Sequence, residues 1–360
     1  MRENNKFMKK KNIKIAVIAP PFTFLFSQKQ RGTERIVWEM TEGLQRRGYK
    51  VSLFGAGRYN GSAKFIQIFK KTITERKIDA DYVESSRPLR LESAYIASTM
   101  KEIIKRGKDF DIIFNHSRGG YIFLPLSSFI KAPIVTVLHL PIFEELALLL
   151  ASYKKPNIIT VSNQQRKKFP NINYLATIYN GVNLKEFKFC QKPKNYFLYV
   201  GTFGEHKNPK DAILAAKKAN VKLVLIGGKK REPYFSKEIK PLLDGKQIKY
   251  LGEVSDKKRV ELLKYAKALI FPIKWPEPFG LVMIEAMASG TPVIAYPDGA
   301  VPEVVKDKET GFIVKNIKQI AEAIKKIDVI DRKKCRERVE RYFSVEKMID
   351  NYEKIIRKLI

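Results

Sequence analysis

The sequence predicts an α/β protein made of two Rossmann-like domains, each a doubly wound parallel sheet. Three observations carry this reading. Apolar runs of four to six residues recur along the chain, segments of helical period separate them, and the pattern restarts near Lys192–Asn195. Continuous apolar strands are what a parallel sheet needs when helices cover both of its faces. A chain of 360 residues is long enough to bury two cores of this kind.

The elements can be placed in order. Ile13–Ala19 reads as the first strand. Thr33–Arg47 follows as a helix, with Ile36, Val37, Met40 and Leu44 on one face and Gly48 as its stop. Val51–Phe54, Asp111–Phe114, Ile134–Leu138 and Asn157–Val161 read as further strands. Tyr121–Ile130 and Phe143–Lys155 are apolar stretches read as helices covering the sheet. After a polar hinge at Cys190–Asn195, Tyr196–Gly201 is a strand that runs into a glycine turn. Pro209–Lys218 is a helix, Lys222–Ile226 a strand and Gly227-Gly228 a turn. Lys249–Leu251, Ala268–Phe271 and Pro292–Tyr296 continue the strands. Ser344–Ile360 is a helix with Met348, Tyr352, Ile355, Ile356 and Leu359 on one face. The domains expected are 1–191 and 195–340, with the helix 344–360 packing back toward the N-terminal domain.

Composition narrows the partners. The formal net charge is +32. Such an excess points to anionic partners, or to a lysine-rich composition with no dedicated partner, and net charge cannot separate the two. No aromatic-basic motif or recognition-helix pattern accompanies the charge, so nucleic acid is not an expected partner. No segment reaches the ~18 apolar residues of a membrane span. The N-terminus is basic and then apolar, but Lys14 and Pro20-Pro21 interrupt the run, so a strand is expected there and not a signal peptide. The two cysteines, Cys190 and Cys335, are far apart and fit a reducing, cytoplasmic setting.

The chemistry concentrates in Pro276–Gly290, "PEPFGLVMIEAMASG". A strand ends in a Pro-rich turn, and a helix should begin near Phe279 or Gly280. Its first backbone N–H groups, at Gly280, Leu281 and Val282, form an anion site suited to a diphosphate. Glu277 lies just before the helix, where its carboxylate could accept hydrogen bonds from sugar hydroxyls. Glu285 follows eight positions later, about 7–8 Å along the helix axis from its start. It could accept both hydroxyls of a ribose. The plainer alternative is an acidic helix start plus a solvated glutamate. Val282, Met283, Ile284, Ala286 and Met287 argue against it, because they suggest a buried helix on which a glutamate needs a partner.

The stretch "WPEPFGLVMIEAMASGTPVIAYPDGAVPEVV" followed by "TGFIV" resembles the retaining family 4 glycosyltransferases (glycosyl transferases group 1) of the GT-B fold. Their signature of two glutamates separated by seven residues corresponds to Glu277 and Glu285. The resemblance covers nearly the whole chain and is strongest from Tyr196 to Val314. It implies two domains facing across a cleft, with the acceptor on the N-terminal side and a nucleotide sugar on the C-terminal side. It implies that Glu277 meets the donor sugar, that Pro278, Phe279, Gly280 and Leu281 bind sugar and diphosphate, and that Glu285 holds the ribose. Base contacts would come from Glu253 and Val254, and phosphate contacts from the turn at Gly201. Lys207 matches the family's diphosphate lysine, whereas Thr202 stands where an arginine is usual. In the N-terminal half "QRGTERIVWEM" is similar to the family's glycine-rich loop, with Arg31 in place of the first glycine and Gly32, Thr33 and Glu34 matching. A charge from Arg31 would partly replace what Thr202 lacks.

His139 matches the family's catalytic histidine near the donor sugar. His116, also at a strand end, and Glu303 of "VPEVV" would support the residues that touch the substrates. His206 is incidental on this reading. The activity implied is metal-independent hexosyl transfer with retention, with no cofactor beyond a donor such as UDP- or GDP-hexose. "DAD" at Asp79–Asp81 has metal-motif spacing but lies in the wrong half. Acceptors would be glycans or lipid-linked molecules of cell-envelope polysaccharide synthesis, and the basic surface suggests peripheral contact with an anionic membrane. Alternatives are a nucleotide-sugar epimerase of the same shape and a catalytically weak sugar-nucleotide binder.

Overall fold

The structure, a computed structural model, describes residues 12–26, 32–76, 86–228 and 231–360. It divides into two compact units. The first comprises the described residues up to Val161 together with Phe169–Ile178 and Met348–Ile360; the second comprises Ser162–Lys168 and Tyr179–Lys347. Residues 190–195 therefore lie inside the second unit, where Cys190 N–H donates to Ser289 O at 3.0 Å.

The first unit holds a seven-stranded parallel sheet in the order β3-β2-β1-β4-β5-β6-β7. Its strands are β1 Lys14–Ile18, β2 Lys50–Ala56, β3 Lys64–Phe69, β4 Ile112–Asn115, β5 Ile134–Leu138, β6 Ile158–Thr160 and β7 Tyr174–Thr177. The helices named along this stretch are α1 Thr33–Arg46, α2 Arg87–Arg106, α3 Glu144–Ala151 and the short α4 Gln164–Lys167, the last belonging to the second unit. The predicted apolar face of α1 is buried: Ile36, Val37, Met40 and Leu44 are at most 1% exposed.

β3 was not legible in the sequence. It is an edge strand with no fully buried residue, and Lys64 and Gln67 break its apolar residues into two short pairs instead of one run. Tyr121–Ile130 also differs from expectation. It forms 3-10 turns over Gly120–Ser128, because Pro125 removes a helical donor. Nor are the two crossovers simply core. Phe123, Leu124, Leu146 and Leu150 are buried, but Phe129, Phe143, Leu148 and Leu149 face solvent.

The second unit repeats the plan with six parallel strands in the order β10-β9-β8-β11-β12-β13. They are β8 Phe197–Val200, β9 Leu223–Ile226, β10 Ile248–Tyr250, β11 Leu269–Phe271, β12 Val293–Ala295 and β13 Gly311–Ile313. Its helices are α5 Pro209–Ala219, α6 Asp256–Tyr265, α7 Leu281–Ala288, α8 Val301–Val304, α9 Ile317–Lys326 and α10 Arg332–Tyr342. In both sheets the strand order reverses once, between β1 and β4 and between β8 and β11. Loops diverge at such a point and leave a crevice at the carboxyl ends of the strands, where ligands bind in open α/β sheets.

The C-terminal helix, α11 Val345–Leu359, places its last turns in the first unit. There the Tyr352 ring meets Phe114 edge-on with centroids 5.4 Å apart, and Arg47 pairs with Glu353 at 2.7 Å.

Candidate functional site

In the second unit the crevice is built from the loops after β8 and β11. After β8 the chain turns at Gly201 and makes a single 3-10 turn, Glu205–Lys207. Asn208 then takes a left-handed conformation and caps α5 by accepting from Asp211 N–H. The Asn208 amide also donates to Pro272 O at 3.0 Å, and Lys274 N–H donates to His206 O at 2.9 Å. Two loops distant in sequence are thereby tied together, so Lys207 and Glu277 meet. The Lys207 ammonium pairs with Glu277 Oε2 and lies 4.6 Å from the centre of the Trp275 ring. Trp275 Nε1–H donates to the same carboxylate at 2.8 Å. His206 meets Trp275 edge-on, and burial followed by the Lys207 and Arg231 charges holds its pKa below the ordinary histidine value.

The turn that follows is fixed from below. Ala300 N–H donates to Glu277 O at 3.0 Å, and a Cβ on Gly299 would collide with that carbonyl. Gly280 takes φ 82° as the N-cap of α7, so the helix starts at Leu281. Pro278 and Phe279 are buried, with the Phe279 ring 6.1 Å from Tyr179 and 5.8 Å from Phe343, centre to centre.

Glu285, on α7, is 7% exposed and ion-paired with Arg259 of α6. Burial would lower the Arg259 pKa, but Glu285 and then Asp256 hold it above the ordinary value. Gly201 N–H donates to Ile226 O, and Gly227 N–H donates to Gly252 O. Gly228 lies against the Glu253 carboxylate. Gly201, Glu253 and the neighbouring Val254 thus sit around the ends of β8, β9 and β10. Thr202 is half-buried, and its carbonyl accepts from Tyr199 Oη–H at 3.1 Å.

Glu303 has a structural occupation. Its carboxylate accepts from Asn163 N–H at 2.9 Å, Gln164 N–H at 2.6 Å and Tyr179 Oη–H at 2.9 Å. Burial, and then Glu303, push the Tyr179 hydroxyl up to about 12.

The first unit gathers a second group at its own crevice. Gly32, exposed and with φ 81°, caps α1, which begins at Thr33. Arg31 and Asp79–Asp81 lie outside the described residues. Glu34 is 6% exposed, and burial raises its pKa against the opposing charge of Arg118, whose guanidinium stacks 3.7 Å from the centre of the Phe22 ring. His116 Nδ1 and His139 Nε2 are 2.9 Å apart. Burial pushes His139 down to about 4 and His116 well below the ordinary histidine value.

Sequence reading missed Trp275, Arg118 and Arg259. Trp275 stood directly before Pro276-Glu277 and could have been found. Arg259 carries no local signal, because its partner is on another helix. Among the described residues no group of three His, Cys, Asp or Glu side chains could hold a metal ion.

Two parallel-sheet units with a cation and a carboxylate gathered at strand ends define a GT-B-type protein, and comparison with known proteins agrees. Residues 30–186 match the profile of Glycosyltransferase Family 4, and residues 183–342 match that of Glycosyl transferases group 1. The chain belongs to this glycosyltransferase family. It is 28% identical over 204 residues to an uncharacterized glycosyltransferase of Methanocaldococcus jannaschii, covering 49% of this chain and 52% of the relative. It is 31% identical over 167 residues to the O-antigen chain mannosyltransferase RfbU of Salmonella typhimurium, covering 43% of this chain and 47% of the relative. The chain thus spans about half the length of the curated relatives it matches. Among solved structures, sucrose-phosphate synthase from Thermosynechococcus elongatus aligns with a TM-score of 0.76 at 21% identity, over 96% of this chain and 99% of that one. Anabaena HepE in complex with UDP-glucose aligns with a TM-score of 0.69 at 16% identity, over 96% and 100%. These structural likenesses establish the GT-B fold.

Proposed function

We propose that the chain transfers a hexosyl unit from a nucleotide-diphosphate sugar to a glycan or lipid-linked acceptor, with retention of anomeric configuration. The observation that carries this is the Lys207–Glu277–Trp275 cluster, whose Glu277 lies four residues before the first residue of α7. An incoming diphosphate would share the Lys207 ammonium and the N–H groups of α7, and Glu277 would turn its oxygens to sugar hydroxyls. Stabilising the departing diphosphate is then the main catalytic effect, supplied by Lys207 and the helix and not by a metal ion. Glu285, oriented by Arg259, is assigned the ribose, and the Gly201–Thr202 turn and the Glu253–Val254 segment the phosphate and base. Within the first unit, His139, with His116 behind it, is assigned a catalytic role, and the Gly32–Thr33 turn the acceptor or a phosphate. A UDP-sugar is the favoured donor, because HepE, of the same fold, has been captured with UDP-glucose. A lipid-linked or glycan acceptor is favoured by the likeness to an O-antigen mannosyltransferase and to a phosphatidyl-myo-inositol mannosyltransferase.

A thermal-shift screen against UDP-, GDP- and ADP-sugars tests the donor assignment. A ligand at 100 times its Kd stabilises the folded state by about 2.7 kcal/mol, so one nucleotide series should raise Tm and the others should not. Donor hydrolysis and transfer are then compared between the wild type and Glu277→Ala, and the anomer of the product is read by NMR. A chain that no nucleotide sugar stabilises and that hydrolyses none would sink the proposal. Inversion at the anomeric carbon would remove the retaining part alone.

A further inference from the structure

We propose that His116 is a positioning residue that holds His139 in its neutral Nδ1–H form, so that His139 can give a hydrogen bond from Nδ1 but cannot act there as a base. His116 follows β4, and its main-chain N–H donates to Ile18 O at 2.9 Å, which fixes it at the point where the strand order reverses. Its side chain is wholly buried. The two imidazoles lie nearly parallel, 27° apart with centres 5.2 Å apart, and His116 Nδ1 is 2.9 Å from His139 Nε2.

A neutral imidazole carries a single N–H, so this contact allows two arrangements. In the first, His116 Nδ1–H donates to His139 Nε2. The second proton of the pair is then on His139 Nδ1, and His116 Nε2 is left with only a lone pair. In the second, His139 Nε2–H donates to His116 Nδ1, and His116 must carry its own proton on Nε2. That atom is buried and has no hydrogen-bond partner among the described residues. Orphaned buried N–H groups are rarer than under-satisfied acceptors, because a donor stripped of water has nothing else to engage. The first arrangement is therefore favoured. Burial of both rings keeps the pair neutral, so a doubly protonated His139 does not compete near neutral pH.

His139 itself is half-buried, and its Nδ1 has no protein partner among the described residues. It is thus presented as a donor for an oxygen acceptor. On the proposed function, on which this last step rests, the acceptor is an oxygen of a bound substrate. The second histidine explains how a residue at the end of β5 can be a fixed donor without a carboxylate behind it.

The test uses the full chain labelled with 15N-histidine. Three histidines give a spectrum simple enough to assign. Long-range 1H–15N spectra should show His139 with a pyrrole-type Nδ1 and a pyridine-type Nε2. His116→Asn, whose amide can still donate to His139 Nε2, should keep that pattern. His116→Ala should shift His139 toward the Nε2–H form preferred by free histidine. Circular dichroism checks that each variant is folded. An Nε2–H form in the wild type, or an unchanged pattern in folded His116→Ala, overturns the proposal. The signal is read without turnover, so a failure of all variants to transfer sugar would count against the proposed activity and not against the pair. With transfer measurable, His116→Ala should lower kcat roughly tenfold, the size of one misdirected neutral hydrogen bond, with a smaller change in KM.

Discussion

A carboxylate buried on a helix has to be matched, and Glu285 is matched by Arg259. Removing one member of a buried pair costs about 3–5 kcal/mol, because the other charge is left without compensation. Arg259→Leu should lose that much stability in urea denaturation, and Arg259→Leu with Glu285→Leu should recover most of it. A single variant as stable as the wild type would show that the pair is not closed in solution. The histidine pair predicts a pH effect of definite sign. Both rings have pKa values depressed in the folded chain, to about 4 for His139, against an unfolded value near 6.5. The unfolded state therefore binds more protons between those values. The stability this supports is fully present above pH ~6.5 and is lost as pH falls toward 4. Tm should decline over that window in the wild type and decline less in a His116→Asn, His139→Asn double variant. An equal slope in both would refute the assignment. Glu277 and Lys207 were legible because glycine and proline punctuation marks the loops that carry them. Arg259 and the facing of the two histidines were not, since both depend on pairing across elements that no local pattern reports.

At the level of elements, the central strands were legible because they are buried on both faces: β1, β4 and β5 read as apolar runs. The edge strand β3 was not, because half of its surface meets water. The start of α7 could be bracketed only to Phe279 or Gly280. The left-handed Gly280 delays it to Leu281. The turn between β12 and α8 went unnoticed, yet it supports the candidate site. Gly299 takes φ 57°, and a Cβ there would strike the backbone of Glu277. Backbone cannot swing aside as a side chain can, so Gly299→Ala must move the Glu277 turn. The expected result is a loss of about 1–3 kcal/mol in stability, with donor kcat/KM falling at least roughly tenfold and far-UV circular dichroism preserved. Unchanged donor kinetics in this variant would mean that the position of Glu277 does not matter to the reaction.

For the molecule as a whole, the open question is whether the charge of +32 has a partner. No helix among the described residues is long and apolar enough to cross a membrane. The first unit nevertheless exposes large apolar side chains on two neighbouring crossovers, which share the buried cluster of Leu124, Leu146 and Leu150. Phe129 is 84% exposed and Leu148 is 68% exposed. Basic residues near an anionic lipid surface contribute about 1 kcal/mol each, an attraction that salt screens, whereas inserted apolar side chains contribute a part that salt leaves largely intact. Charge alone would bind any strongly basic protein to anionic vesicles, so the apolar residues decide between a dedicated face and a basic composition. In vesicle flotation the wild type should bind liposomes that contain an anionic lipid and should not bind purely zwitterionic ones. Phe129→Ser with Leu148→Ser, which leaves the charge unchanged, should weaken that binding several-fold and make the remainder fully salt-reversible. Equal binding by the two proteins would assign the charge to composition. Failure to bind liposomes of either kind would remove the membrane from the picture and leave a glycan or small-molecule acceptor in its place.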